Sequence, residues 1–573
     1  MAAVNGTPTG TRWSVSKSEA VAENGMLATK HPLASAAGVE ILRAGGNAVD
    51  AAVAACLVVG VVEPASSGLG GGGYMVISRG EEVHAVAFPM QAPGAAREDM
   101  FKLTGEPSVG AFGWAGVKGD ANLCGPRSVA IPGAVDGLAL ALRRFGTMTW
   151  DQVSIPAIRL AEDGFAVGWF DNYAIGVNAD RVAGFPEAAG IFLPDGCPPK
   201  GDGVNAGVLR QPDLAATLKA LSRAGPRDFY EGDVAAAVAS GVAELGGLLT
   251  VEDLRQYKAR TLAALSAGYR DCTVHVPPHA CAGPTTISTL NLYEGFDARA
   301  LGHGSAARLH AYISSARLAF ADRFAFMADP DFVEVPWAGL ASKRYASARR
   351  KLIDVAGRSP DFAPGDPWRF QGSEGRRAGS GPSGPGESTT HLCAADGQGG
   401  FVSLTNTIMA GFGSGIVPRG TGVVMNDGMM WFNPVPGSPN SIAPFKRGLN
   451  NMSPAIVSRG GRAVMAIGAS GGRRITNCVS QLISNVVDHG MGVQEAIAAP
   501  RVDCSADWVS IDDRFPDGLL AELRRRGHRL LPLRQTFASG FALFASPTGI
   551  LRDDQGLLRG GVDVYHSAEA LGF

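Results

Sequence analysis

Three stretches of this sequence carry residue types at spacings that could do chemistry. Gly68-Leu69-Gly70-Gly71-Gly72-Gly73 satisfies GxGxxG, the fingerprint of dinucleotide binding. That motif needs a strand before it and a helix after it, so that a pyrophosphate meets a helix N-terminus. Here an apolar helical segment precedes the glycines and the strand-like Tyr74–Ser78 follows, which argues against a nucleotide. Gly468-Ala469-Ser470-Gly471-Gly472 satisfies GxSxG, a nucleophile elbow that requires a downstream acid and then a histidine. Asp488, His489, His528 and His566 follow, and the strand-like Arg462–Ile467 precedes, so chain order alone leaves the elbow open.

The third stretch is Ser388-Thr389-Thr390-His391. A threonine that opens a strand becomes both nucleophile and base if the peptide before it is cut. Its hydroxyl attacks while the freed α-amine accepts the proton. An unperturbed α-amine has a pKa of ~7.7–8.0, so a useful fraction is neutral near pH 7. Taken alone, the stretch reads more readily as an ordinary threonine-bearing strand.

The surrounding elements favour such a junction. Residues 372–388 read GSEGRRAGSGPSGPGES, a Gly/Ser/Pro-dense composition that predicts an exposed, flexible linker. Directly after it, Thr389–Ala395 and Gly400–Ile408 are β-rich and separated by the turn Asp396–Gly399, which predicts a hairpin. Earlier, Leu33–Arg43 has helical apolar spacing and stops at Gly45-Gly46, and Asn47 is placed to cap a helix over Val49–Val62. Residues 129–260 alternate helical stretches with turns, and Gly246–Thr250 leads into a capped helix at Glu252-Asp253-Leu254.

The totals set the bounds. The chain has 573 residues with 46% hydrophobic and 18% charged, enough to bury a sizeable core. Its net charge of −2, from 51 basic and 53 acidic residues, points to neither nucleic acid nor an anionic membrane as partner. No signal-like h-region opens the chain and no apolar run reaches transmembrane length, which predicts a soluble cytoplasmic protein. The 8 cysteines stand singly with no CxxC, and the 10 histidines form no HExxH, so no metal site is expected. Glycine, at 77 residues, has no collagen period and predicts turns and close backbone approaches.

Over nearly its whole length the chain resembles the γ-glutamyltransferase (γ-glutamyltranspeptidase) family. The resemblance rests on Gly45–Ala52, Gly68–Gly73, Val129–Gly133, and Gly247–Leu254 with Tyr257. It continues through Thr389-Thr390-His391, Phe412–Gly415, Asn451–Pro454 and Gly468–Ile475, in shared order and spacing. It implies an α+β fold, the four-layer αββα sandwich of N-terminal-nucleophile hydrolases, made as one chain and cut before Thr389. A large subunit 1–388 would then partner a small catalytic subunit 389–573. The resemblance further implies that Thr389 is nucleophile and, through its α-amine, base; that Thr407 on the adjoining strand holds it; and that the Gly471 and Gly472 N–H groups form an oxyanion hole. No cofactor is implied.

The departures concern substrate binding. The family's carboxylate-binding arginine lies in a motif like Asp-Phe-Arg-Glu-x-Ala-Pro; here Ala87–Pro93 puts Pro89 in its place. Met409 stands where a polar residue follows the second threonine, and Gly428-Met429-Met430-Trp431 replaces the Gln-x-x-Asp that grips an α-amine. Asn450-Asn451 replaces Ser-Ser, and Arg473 follows Gly-Gly where a small residue is usual. Arg473 reads either as a relocated anion contact or as a solvated side chain. Losing charge-assisted bonds of ~1.5–3 kcal/mol each leaves a zwitterionic γ-glutamyl group poorly paired. The expectation is an N-terminal-threonine amidohydrolase or acyltransferase whose small-molecule amide donor is not a γ-glutamyl compound. The rivals are an authentic γ-glutamyltransferase or glutathione hydrolase with a rebuilt clamp, the same nucleophile on an ester or activated C–C bond, and a catalytically silent binding protein.

Overall fold

The computed structural model describes residues 15–107, 114–372, 388–536 and 543–573. Fourteen strands build its two main sheets. They are β1 Ala20–Ala22, β2 Gly25–Thr29, β3 Gly72–Arg79, β4 Glu82–Phe88, β5 Arg260–Ala263, β6 Leu265–Tyr269, β7 Cys272–Val276, β8 Ser388–Asp396, β9 Phe401–Met409, β10 Ala455–Arg459, β11 Arg462–Ser470, β12 Ser546–Arg552, β13 Leu558–Val562 and β14 Glu569–Gly572. The first sheet runs β14-β2-β8-β9-β3-β4-β5 and the second β1-β13-β12-β11-β10-β7-β6. All their pairings are antiparallel.

The two sheets meet face to face through apolar side chains, among them Ala28, Val76, Cys393 and Ala395 from one and Ile456, Ala466 and Ile550 from the other. Such residues suit the ~10 Å gap between stacked sheets. Helices cover the outer faces. On the first sheet lie α1 Pro32–Arg43, α2 Ala48–Val62 and α3 Ala134–Phe145, and on the second α4 Gly283–Tyr293, α5 Ala306–Phe326 and α6 Arg474–Val487. The result is the expected αββα order of layers.

Helix α2 is almost wholly buried, and its composition explains why. Ala and Val occupy nearly every position and all but one of its residues are buried, so it lacks the polar stripe of a surface helix. Asn47 caps it as anticipated, accepting from Val49 N and Asp50 N while Asp50 returns a bond to Asn47 N. A capping box of this kind is worth ~1 kcal/mol. The predicted hairpin is β8–β9, and it sits at the centre of the first sheet. The anticipated helix after Gly246–Thr250 is Val251–Gln256, closed by a Thr250–Asp253 capping box. The Gly/Ser/Pro-rich stretch expected at 372–388 lies, apart from its first and last residues, outside the described residues.

Both sheets combine strands from either side of Thr389; in the second, β10 to β13 lie together between β1 and β7. In the first, β2 lies between β14 and β8, and β3 flanks β9 on the other side, both from the other end of the chain. Among the described residues no helix is long and apolar enough to cross a membrane.

Candidate active site

Thr389 lies at the start of β8, on a central strand and buried. Ser388 pairs with Met409 and Thr390 with Asn406, so one residue of β8 faces two of β9, Thr407 and Ile408. This bulge re-aims the strand end. The Thr389 hydroxyl donates to Thr407 Oγ1 at 3.2 Å, and Thr407 Oγ1 also accepts from Met409 N at 2.8 Å. That second bond holds Met409 at φ 89°, a left-handed conformation that a long side chain adopts only at a cost of ~1–3 kcal/mol. β8 runs through both Ser388 and Thr389.

The glycine run beside this pair is a packing surface. β3 lies against β9 with Thr407 opposite Gly72 and Asn406 opposite Gly73. A Cβ on Gly71 would stand 2.3 Å from Thr407 O, and one on Gly73 2.2 Å from Thr405 O. The order helix α2, glycines, strand β3 leaves no helix N-terminus for a pyrophosphate.

Gly468 does similar work from the other sheet, since a Cβ there would come 2.3 Å from the His391 ring. His391 Nδ1 bonds Thr405 Oγ1 at 2.9 Å, and burial pushes its pKa down to about 3, so the ring is neutral. Ser470 ends β11 and Gly471 (φ 128°) and Gly472 (φ 64°) turn the chain into α6. This is the strand–turn–helix setting of a nucleophile elbow. Yet Ser470 Oγ donates to Ser546 O, while His489 neighbours His303, His528 bonds His310, and His566 contacts Lys30 and Glu63. No described histidine activates this serine, and the sheet is antiparallel where an α/β-hydrolase needs parallel strands.

The substituted positions converge. Met409, Met430 and Trp431 belong to one buried apolar cluster with Met90, Phe101, Trp114 and Met452. Pro89 follows β4 and is buried beside them, its carbonyl accepting from Tyr257 Oη at 2.8 Å. Met430 and Trp431 sit on the 3₁₀ turn Gly428–Trp431. The Trp431 indole Nε1 is buried and has no hydrogen-bond partner among the described residues.

Asn450 and Asn451 are held by the scaffold. Asn450 Nδ2 donates to Ala280 O at 2.8 Å, and Arg323 donates to Asn450 O and Asn451 Oδ1. Arg473 is buried, with its guanidinium 5.8 Å from the Phe324 ring, so the solvated alternative is corrected: α5 covers it.

Sequence reading missed Lys30, Glu63, Arg323 and Asp427. Lys30 Nζ donates to Thr389 O at 2.9 Å, and Glu63 Oε2 accepts from the Thr390 hydroxyl at 3.3 Å. Asp427 Oδ1 accepts from Ala410 N at 3.0 Å behind Met409, and burial pushes its pKa up to about 6 against the pull of Arg181. A lone lysine before His31-Pro32 and an aspartate before Gly428 carry no motif. Only the signal of a charge inside an apolar neighbourhood could have marked them. Among the described residues no three His, Cys, Asp or Glu side chains gather to hold a metal.

Two stacked antiparallel sheets between helical layers, with a strand-opening threonine at their centre, define the N-terminal-nucleophile hydrolase fold. A family model described as Gamma-glutamyltranspeptidase matches residues 34–573, and the chain belongs to that family. It is 36% identical over 538 residues to an "Acylase ACY 1 proenzyme" of Pseudomonas sp. (strain V22), covering 93% of this chain and 92% of that protein. It is 34% identical over 551 residues to the "Glutathione hydrolase proenzyme" of Escherichia coli (strain K12), covering 92% and 90%. Among solved structures, cephalosporin acylase from Bacillus halodurans superposes with a TM-score of 0.85 at 27% identity, covering 99% of each chain.

Proposed function

We propose that the chain cuts itself before Thr389 and then acts as an N-terminal-threonine amidohydrolase or acyltransferase on a donor other than a γ-glutamyl compound. Cleavage would leave a large subunit 1–388 and a small subunit 389–573. The Thr389 hydroxyl gives its proton to its own α-amine and attacks the amide carbonyl. Thr407 holds the hydroxyl in place, and the Gly471 and Gly472 N–H groups receive the negative charge on the carbonyl oxygen. The amine hands its proton to the leaving nitrogen as the C–N bond breaks, and water or an acceptor amine releases the acyl group from Oγ.

The observation that carries the substrate reading is the gathering of Met409, Met430 and Trp431 in one buried apolar cluster beside the Thr389–Thr407 pair. A zwitterion placed there would lose its hydration without gaining partners. An apolar acyl part would not, and a neutral acceptor on it could take the Trp431 N–H. The proenzyme relatives named as acylases accord with this reading. The test is kcat/KM for matched γ-glutamyl and apolar-acyl anilides with fully cut enzyme. The apolar donor should win by tenfold or more, about 1.4 kcal/mol. A tenfold advantage for the γ-glutamyl compound would instead establish a rebuilt glutamyl clamp.

A further inference from the structure

Lys30 lies just beyond β2, 359 positions from Thr389 in the sequence, yet its ammonium donates to the backbone carbonyl of Thr389 at 2.9 Å. It is 4% exposed. A buried lysine is expensive unless its surroundings favour the charge. The groups facing it come from four directions. Glu63 follows directly on α2, Asp171 lies on the helix Trp169–Val177, and Asp563 and His566 follow β13, with His31 its chain neighbour and His391 on β8. His566 Nδ1 bonds Lys30 O at 3.2 Å, and Lys17 is tied to the carbonyls of His566 and Ala568. Three carboxylates thus favour the Lys30 charge in a site where burial lowers its pKa.

We propose that Lys30 is a positioning residue that keeps the α-amine released at Thr389 unprotonated near neutral pH by holding a positive charge against it. This rests on the reading of Thr389 as the N-terminal nucleophile. Within one residue the carbonyl oxygen and the nitrogen are at most ~3.6 Å apart by bond geometry, which puts Lys30 Nζ within about 6.5 Å of the Thr389 nitrogen. A like charge at that range in a dry site disfavours a second ammonium. Burial lowers both groups, but the α-amine starts ~2.5 units below lysine and Glu63, Asp171 and Asp563 favour the charge on Lys30, so the α-amine gives up its proton first. The amine is then free to take the Thr389 hydroxyl proton as the C–O bond forms. The hydrogen bond to Thr389 O also fixes the residue once the peptide behind it is gone.

The experiment compares wild type, Lys30→Met and Lys30→Arg, each first confirmed by intact mass to be cut at Thr389. The pH profile of kcat/KM is then measured with one anilide. Lys30→Met should move the acidic limb upward by about one pH unit and approach wild-type rate at high pH, whereas Lys30→Arg should restore the wild-type limb. The pH dependence of cyanate labelling at the Thr389 α-amine, read by mass, should move in the same direction. A limb that stays in place while the rate falls equally at every pH would overturn the proposal in favour of a structural lysine. A Lys30→Met chain that never separates into subunits would overturn it too, since cleavage precedes any free amine. Failure of the wild type to begin its small piece at Thr389 would instead remove the underlying reading.

Discussion

One hydroxyl holding another is a light tether, and the Thr389–Thr407 contact has to do its work at 3.2 Å. Thr407 Oγ1 accepts twice, from Thr389 Oγ1 and from Met409 N, so its loss frees the nucleophile and also leaves a buried N–H without its acceptor. An unmet buried donor costs ~1–3 kcal/mol. Thr407→Val should keep the fold by circular dichroism while lowering kcat ten- to hundredfold, about 1.4–2.7 kcal/mol. Thr407→Ser should recover most of it. Full activity in the valine variant would reduce Thr407 to a piece of sheet. Thr389→Ala should stay a single chain by gel and mass, whereas wild type should yield a smaller piece beginning Thr-Thr-His. Cleavage persisting in the alanine variant would take Thr389 out of the mechanism.

At the scale of elements, the site depends on how closely β3 and β11 approach β8 and β9. Gly71→Ala would put a methyl 2.3 Å from the Thr407 carbonyl, a backbone atom that moves only if β9 moves. The expected cost is ~1–3 kcal/mol of stability, with a fall in kcat because Thr407 shifts with its strand. Gly518→Ala is the control, since nothing lies within 4 Å of that position on the helix Asp517–Arg525. It should leave kcat unchanged and stability equal or slightly higher.

These elements also separate what could be read from the sequence from what could not. The Asn47–Asp50 and Thr250–Asp253 boxes and the β8–β9 hairpin are local, with partners a few residues apart, and local patterns name them directly. The apolar character of Met409, Met430 and Trp431 was legible one residue at a time; their meeting in a single cluster is a product of folding. Lys30 and Thr389 are separated by 359 positions, and Arg323 and Asn450 by 127, so no spacing rule reaches them. Arg473 was ambiguous for the same reason, because its neighbour Phe324 comes from α5, a helix far away in the sequence.

Across the whole molecule, burial has left several histidines neutral, and this sets how the protein meets acid. Burial pushes His391 and His528 down to about 3, and His566 is lowered well below the ordinary histidine range. Each would take up a proton near pH 6.5 when unfolded but not when folded. The unfolded chain therefore binds more protons below that pH, and stability present above pH 6.5 is lost as pH falls toward 3. Between pH 7 and 5 each such group costs about 2 kcal/mol. Asp427, raised to about 6, opposes this, because its folded form gains a proton on the way down and returns about 1.4 kcal/mol by pH 5. Glu63, also raised by burial, works in the same direction as Asp427. The histidines outweigh Asp427, so the balance is a loss. His528 offers the cleanest test, since it bonds His310 at 2.7 Å and lies away from Thr389, in the layer beyond the second sheet. In the uncut Thr389→Ala chain, which avoids subunit dissociation, urea unfolding should show markedly lower stability at pH 5 than at pH 7. Adding His528→Asn should shrink that difference by about 2 kcal/mol. An unchanged difference would mean that His528 becomes protonated inside the folded protein, with His310 turning to accept from it.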